Sequence, residues 1–283
     1  MNFLIIGSGF GIYGYLPAVY KFTKKIYLNI KYKKKFINRL ELKKFSDKIV
    51  WYNNIRIIID DIDHVVIAKQ PKDQFKIVKE IYLKKKIKHF FLEKPLDINP
   101  KKSNNFLKFL KKNKLNYSLG LLFRYLRWYN YIKLNRRSTN FTINWDIKKR
   151  KKNNKWKYNS KQGGGLLKFY GIHFLYLLID LKYIKIKKYF FKKNSLKLSF
   201  LNTSKFNIDI NIKFAKNDNF EIKTENKTFF KSVNPFSKKI LRNKIDPRVS
   251  VLQKYLKQNL NNYKNYYKDD IKLIRLWSKL ENE

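Results

Sequence analysis

Phe3-Leu4-Ile5-Ile6-Gly7-Ser8-Gly9-Phe10-Gly11-Ile12-Tyr13-Gly14, followed by Tyr15-Leu16-Pro17-Ala18, is the stretch whose reading decides the fold. Residues 3–6 are an uninterrupted apolar run, the pattern of a strand buried on both faces. Glycines follow at once, and apolar character resumes over residues 12–19 as a helix. Strand, glycine turn, helix is the context a dinucleotide-binding loop needs. Glycine lets the backbone turn tightly and approach a pyrophosphate, and the helix N-terminus offers unpaired N–H groups to the phosphates. Two registers fit. Gly9, Gly11 and Gly14 satisfy G-x-G-x-x-G literally, whereas Gly7 and Gly9 sit better against the strand end and put Ile12 third. The cofactor-binding residues expected here are Gly7, Ser8, Gly9, Phe10 and Gly11.

Working outward, residues 25–30 read as a second strand and run into Lys31-Tyr32-Lys33-Lys34-Lys35. A dinucleotide fold usually ends this strand in an acid that holds the adenosine ribose. None is present, so the reading leans from NAD toward NADP. Buried strands follow at residues 62–68, 88–92 and 116–120, separated by helical stretches at 73–84 and 100–112. Strands alternating with helices argue for a parallel sheet in an α/β domain over residues 1–120.

The pattern then changes. Phe141, Ile143, Trp145 and Ile147 alternate with polar residues, as do Phe206, Ile208, Ile210, Ile212 and Phe214. Period two marks strands with one apolar and one polar face. Residues 121–283 therefore form a second, α+β domain around a mostly antiparallel sheet, which the family resemblance given below implies is open-faced. A buried helix spans 164–181, and C-terminal helices follow Asp246-Pro247 and Asp269-Asp270. An apolar open face would make the protein a homo-oligomer.

The chain has 283 residues, 44% hydrophobic and 17% aromatic, enough for two cores. With no cysteine and three scattered histidines, His64, His89 and His173, no metal site is expected. His64 and His89 sit at strand starts with no role. No secretory signal or membrane span is visible, so the expected location is cytoplasmic. The formal charge of +46 is extreme, but it is carried by lysine on nearly every segment and accompanies abundant Asn, Ile, Phe and Tyr. That is codon bias rather than a nucleic-acid stripe, and no specific nucleic-acid partner is expected.

Ligands bind at the carboxyl ends of strands in an open α/β sheet. The segments expected there are the glycine turn, Ala68-Lys69-Gln70-Pro71 and Glu93-Lys94-Pro95. The other unusual segment is Gly163-Gly164-Gly165 through Gly171-Ile172-His173, in a chain with only 9 glycines.

In this order of motifs the sequence resembles the Gfo/Idh/MocA oxidoreductases. They are the glycine turn with Leu16-Pro17-Ala18, residues 63–68 with Pro71, Glu93-Lys94-Pro95, Trp156-Lys157, Gln162-Gly163-Gly164-Gly165, Gly171-Ile172-His173 and Asp246-Pro247-Arg248. The resemblance implies an N-terminal Rossmann domain, bound NAD or NADP, and hydride transfer on a sugar, cyclitol or nucleotide sugar, with surface-polysaccharide synthesis a candidate pathway. It implies cofactor contacts at Ala68, Pro71, Glu93 and Lys94, with Lys94 and His173 as catalytic residues. Substrate contacts are expected at Arg124, Trp156, Lys157 and His173. A proton acceptor and a cation near a developing alkoxide suit that chemistry. The departures are Phe169 and Tyr176 where the family commonly has aspartate, and Gln74 where many members have histidine. They raise the alternative of a non-catalytic relative that binds cofactor or sugar nucleotide as a scaffold.

Overall fold

Phe3, Leu4 and Ile5 are fully buried and form the middle of a central strand. The computed structural model describes residues 1–149, 155–225, 227–236, 244–261 and 266–282. Along the chain come β1 (Asn2–Ile6), α1 (Leu16–Val19), β2 (Lys25–Asn29), α2 (Lys33–Ile37), β3 (Ile49–Tyr52), α3 (Ile55–Ile58), β4 (His64–Ile67), α4 (Pro71–Tyr82), β5 (His89–Leu92), α5 (Pro100–Lys112) and β6 (Tyr117–Leu119). Then follow α6 (Arg127–Asn135), β7 (Phe141–Lys148), α7 (Ile172–Asp180), β8 (Tyr183–Lys192), β9 (Ser195–Asn202), β10 (Asn207–Ala215), β11 (Asn219–Lys223), β12 (Thr228–Ser232), α8 (Arg248–Asn261) and α9 (Tyr267–Asn282).

The described chain divides into two units. One holds Met1–Asp97, Asn105–Gly120 and the described residues of Leu241–Tyr266; the other holds Ile98–Asn104, the described residues of Leu121–Ile240, and those of Tyr267–Glu283.

The first unit is built on a six-stranded sheet in the order β3-β2-β1-β4-β5-β6, with every pair parallel. This is the doubly wound order, in which the chain reverses direction across the sheet between β1 and β4. The strands at its centre carry no solvent-facing side, hence their unbroken apolar runs. The edge strand β3 is half-buried throughout and was not anticipated from the sequence. Phe75 of α4 stacks on Phe106 of α5 at 4.6 Å, and α8 packs against α1. His64 and His89 do stand at strand starts. The His64 ring stacks on Phe3 at 4.9 Å and neither of its nitrogens has a hydrogen-bond partner. His89 meets Ser118, which in turn meets the Tyr255 hydroxyl of α8 at 2.7 Å.

The second unit holds a sheet in the order β12-β11-β7-β10-β9-β8, antiparallel except for the β7–β10 pair. Alternation places Phe141, Ile143, Trp145 and Ile147 on its buried face, where Trp145 meets Phe174 of α7. The other face of β7, β10 and β11 is polar, as the alternation predicts. Asn144 receives a hydrogen bond from Asn211 and donates one to Glu221, linking β10, β7 and β11. Phe141, Ile143, Trp145 and Ile147 of β7 and Ile208, Ile210 and Ile212 of β10 are buried inside the unit, whereas Ile184, Phe190 and Phe191 of β8 are exposed. Among the described residues no helix is long and apolar enough to cross a membrane.

Candidate functional site

The strand register sets the level of the turns. Ile6 pairs with Ile67, and Ile67 with Leu92. Gly7, Ala68 and Glu93 therefore each leave the sheet at the same height, at its carboxyl edge. There is no room for a side chain between the first two. A Cβ on Gly7 would stand 2.3 Å from the Ala68 carbonyl oxygen, and the φ of Gly7 is 146°. Gly9 is the opposite case, exposed and with nothing within 4 Å of where its Cβ would project. The structure thus takes the register of Gly7 and Gly9, with buried Ile12 third. Gly7 closes the turn on β4, and Gly9 leaves bare backbone at the helix start, the cradle that a pyrophosphate fits. Gly14 serves a neighbour instead, since its Cβ would fall 2.2 Å from the Phe10 ring.

Phe10 was expected to touch the cofactor, but its ring is engaged in packing. The Arg248 guanidinium lies 4.1 Å from its centroid, and Tyr13 and Tyr15 meet it edge-on. Arg248 is held by two hydrogen bonds to Asp246 (2.9 and 2.8 Å). Burial pushes the Asp246 carboxyl up, yet the hydrogen bonds and charge of Arg248 outweigh it and hold the group below the usual carboxylate range. Ser8 is reached by Lys35, whose Nζ donates to its Oγ at 3.0 Å.

At the neighbouring strand ends, Pro71 opens α4, where its missing N–H costs nothing. Lys94 is only 8% exposed, despite being a lysine in a very basic chain. The Lys94–Pro95 peptide is cis. Tyr15 is buried, and its hydroxyl and the Glu93 carboxylate both border Gly120. Burial, and then the adjacent Glu93 charge, raise the Tyr15 hydroxyl pKa well above its ordinary value.

In the second unit the glycine triplet is demanded by geometry. A Cβ on Gly164 would sit 2.0 Å from the Trp156 carbonyl oxygen, and Gly163 and Gly165 have φ of 81° and 85°. The chain then enters a π-helical segment, Leu166–Gly171, before α7. The helix after the first glycine turn also opens with a π-helical segment, Gly11–Tyr15. Such segments are uncommon and favour functional positions. Both fall at the stretches singled out from sequence.

Phe169 meets Trp156 edge-on at 5.4 Å, with the Lys157 ammonium 5.3 Å from its ring. His173 is 7% exposed and stacks on Phe123 at 4.5 Å. Arg124 donates to the Tyr176 hydroxyl and lies 4.6 Å from that ring. Phe169 is thus built into aromatic packing, and Tyr176 is held by Arg124. Asp180 accepts a hydrogen bond from Tyr129. Trp156 and Lys157 come together around Phe169, while Arg124 pairs with Tyr176. Among the described residues no cluster of metal-ligating side chains occurs.

Sequence reading missed the part played by three residues. Lys35 was one of a lysine run, Tyr15 looked like helix core, and Gln74 was noted only as a departure from the family. Nothing in spacing marks a lysine that folds back onto a turn. The glutamine carried a signal, being a polar residue on the buried stripe of an amphipathic helix.

A parallel sheet in this order, with a glycine turn sealed against β4 at the end of β1, defines a dinucleotide-binding Rossmann protein. Residues 1–121 match the sequence model of the Gfo/Idh/MocA oxidoreductases, described as the oxidoreductase family with an NAD-binding Rossmann fold. That model describes NAD binding for the matched residues. No curated protein matches the chain in sequence. Solved structures match along its whole length. The WlbA (WbpB) dehydrogenase from Thermus thermophilus, in complex with NAD and UDP-GlcNAcA, is 12% identical with a TM-score of 0.72, covering 99% of this chain and 94% of that one. KijD10, a 3-ketoreductase from Actinomadura kijaniata with NADP and TDP-benzene, is 11% identical with a TM-score of 0.70, covering 100% and 97%. A super-repressor mutant of Gal80p from Saccharomyces cerevisiae is 13% identical with a TM-score of 0.72, covering 100% and 95%. At these identities the likeness is one of fold.

Proposed function

We propose that the protein is an NAD(P)-dependent oxidoreductase acting on a hydroxyl or carbonyl of a sugar, favouring a nucleotide sugar. The observation that carries the reading is the carboxyl edge of the first sheet. There the open backbone at Gly9 lies in register with the turn that bears the buried Lys94. UDP-GlcNAcA in one structure of this fold and TDP-benzene, a nucleoside diphosphate, in another support a nucleotide-linked substrate, and the charge of +46 draws anionic ligands from solution. Backbone N–H groups around residues 7–11 hold the pyrophosphate. When bound, the dinucleotide accepts or supplies a hydride. Lys94 offers its ammonium to the oxygen that gains charge as the carbinol is oxidised. His173 takes the carbinol proton, and Arg124, Trp156 and Lys157 contact the substrate. A cytoplasmic location fits a soluble cofactor and substrate of this kind.

A second reading is favoured by one observation. Phe169 and His173 are both engaged with aromatic rings, as befits a member that binds cofactor or sugar nucleotide without turning it over. A screen of free and nucleotide-linked sugars with NAD(P) separates the two, using wild type, Lys94→Met and Phe169→Asp. The enzyme reading expects slow turnover that Lys94→Met abolishes. Activity indifferent to Lys94→Met would remove the mechanism. Inactivity of wild type and Phe169→Asp alike, with cofactor bound, would favour the scaffold.

A further inference from the structure

Gln74 is fully buried on α4 and spends its whole carboxamide on one short segment of backbone. Its Oε1 accepts from the Glu93 N–H at 2.8 Å. Its Nε2 faces the carbonyl oxygens of Glu93, Pro95 and Leu96 at 2.9, 3.1 and 3.3 Å. The carboxamide thus pairs with both backbone groups of Glu93, as an adjacent strand would, one residue past the end of β5. It then pins the two residues after Lys94. On the other side of β5, the Gly120 N–H holds the Leu92 carbonyl at 2.8 Å. A flipped amide would turn its oxygen toward three carbonyl oxygens, so only one orientation satisfies the site.

We infer that Gln74 is a positioning residue for Lys94, holding the Glu93-to-Leu96 turn so that the ammonium is presented at the sheet edge; this rests on the reading of Lys94 given above. An apolar side chain at 74 would leave four buried backbone groups without that partner, and the turn would relax toward water to satisfy them. Histidine, with one donor and one acceptor, would satisfy part of the set. Small displacements matter here, because a shift of ~1 Å in a reacting group can cost about a hundredfold in rate.

The test uses Gln74→Met and Gln74→His in the full chain. Acylation of individual lysines is followed by peptide mass spectrometry, with turnover and dinucleotide affinity measured alongside. Lys94 should label about tenfold faster in Gln74→Met, with Gln74→His between it and wild type. Lys48, which donates to the backbone of Tyr20 and Thr23 in the same unit, should keep its rate. The kcat should fall by about a hundredfold while the dinucleotide Kd moves less than about twofold. If Gln74→Met does not fold, Gln74→His decides by the same readouts. Wild-type labelling of Lys94 in a folded variant would overturn the inference, as would equal acceleration at Lys48, which signals general loosening. Labelling does not depend on turnover, so failure of the clamp is distinguishable from failure of the catalytic reading, which Lys94→Met tests by itself.

Discussion

Gly7 and Ala68 approach so closely that a methyl group on Gly7 would stand 2.3 Å from the Ala68 carbonyl oxygen. Gly9, two residues on, has empty space where its methyl would go and no left-handed φ. The fold therefore requires Gly7, whereas nothing in the fold requires Gly9, whose bare backbone suits the proposed phosphate contact. Gly7→Ala should cost more than about 1 kcal/mol of stability, through both strain and collision. Gly9→Ala should leave stability within about 0.5 kcal/mol. It should nevertheless weaken NAD(P)H binding by about tenfold or more, a loss of about 1.4 kcal/mol. Urea unfolding and fluorescence titration of both variants check this. Equal affinity in Gly9→Ala and wild type would mean that no phosphate lies over the turn.

Physical causes decide which features could be read in advance. The parallel sheet was legible because central strands buried on both faces leave unbroken apolar runs. β3, at the edge, is itself an apolar run, Ile49-Val50-Trp51-Tyr52, but follows no clear helix in the sequence and was not seen. The glycine register stayed open because spacing does not reveal which glycine collides with a distant strand. Alternation gave the second sheet its two faces. What it could not say is that the apolar face is used up beneath α7, leaving the Glu221–Asn144–Asn211 ladder outside. Lys94 stood out as a lysine straight after a buried strand, whereas Gln74 acts only through hydrogen bonds to backbone that sequence does not display.

Cofactor choice should follow Lys35. β2 ends in Asn29, whose Oδ1 accepts from the Lys31 N–H, and no carboxylate stands there for a ribose. Lys35 reaches across to Ser8 instead. NADPH should bind at least as tightly as NADH, and Lys35→Glu should weaken NADPH by about tenfold while sparing NADH. A strong wild-type preference for NADH would refute this assignment.

Acid should destabilise the first unit through its buried histidines. Burial holds His64 down to a pKa of about 4 and His89 to about 3, against Asp63 acting to raise the former. The unfolded chain takes up these protons below the ordinary value of about 6.5. The stability contributed by the neutral rings is therefore present above that pH and is lost as pH falls toward the folded values. Between pH 7 and 5 each histidine should cost about 2 kcal/mol. His64→Phe keeps the stack on Phe3 and should lose less over this range than wild type by about that amount. Parallel pH profiles from urea unfolding would contradict it.

The central claim, that this chain is a working dinucleotide protein, is tested most directly by fluorescence titration of the purified protein with NADH and NADPH at physiological salt. Salt screens the nonspecific pull of the lysines, so what remains is the site itself. The account predicts saturable binding of NADPH at one site per chain, weakened by about tenfold or more on Gly9→Ala and retained on Lys94→Met. Absence of saturable binding by either dinucleotide would contradict it.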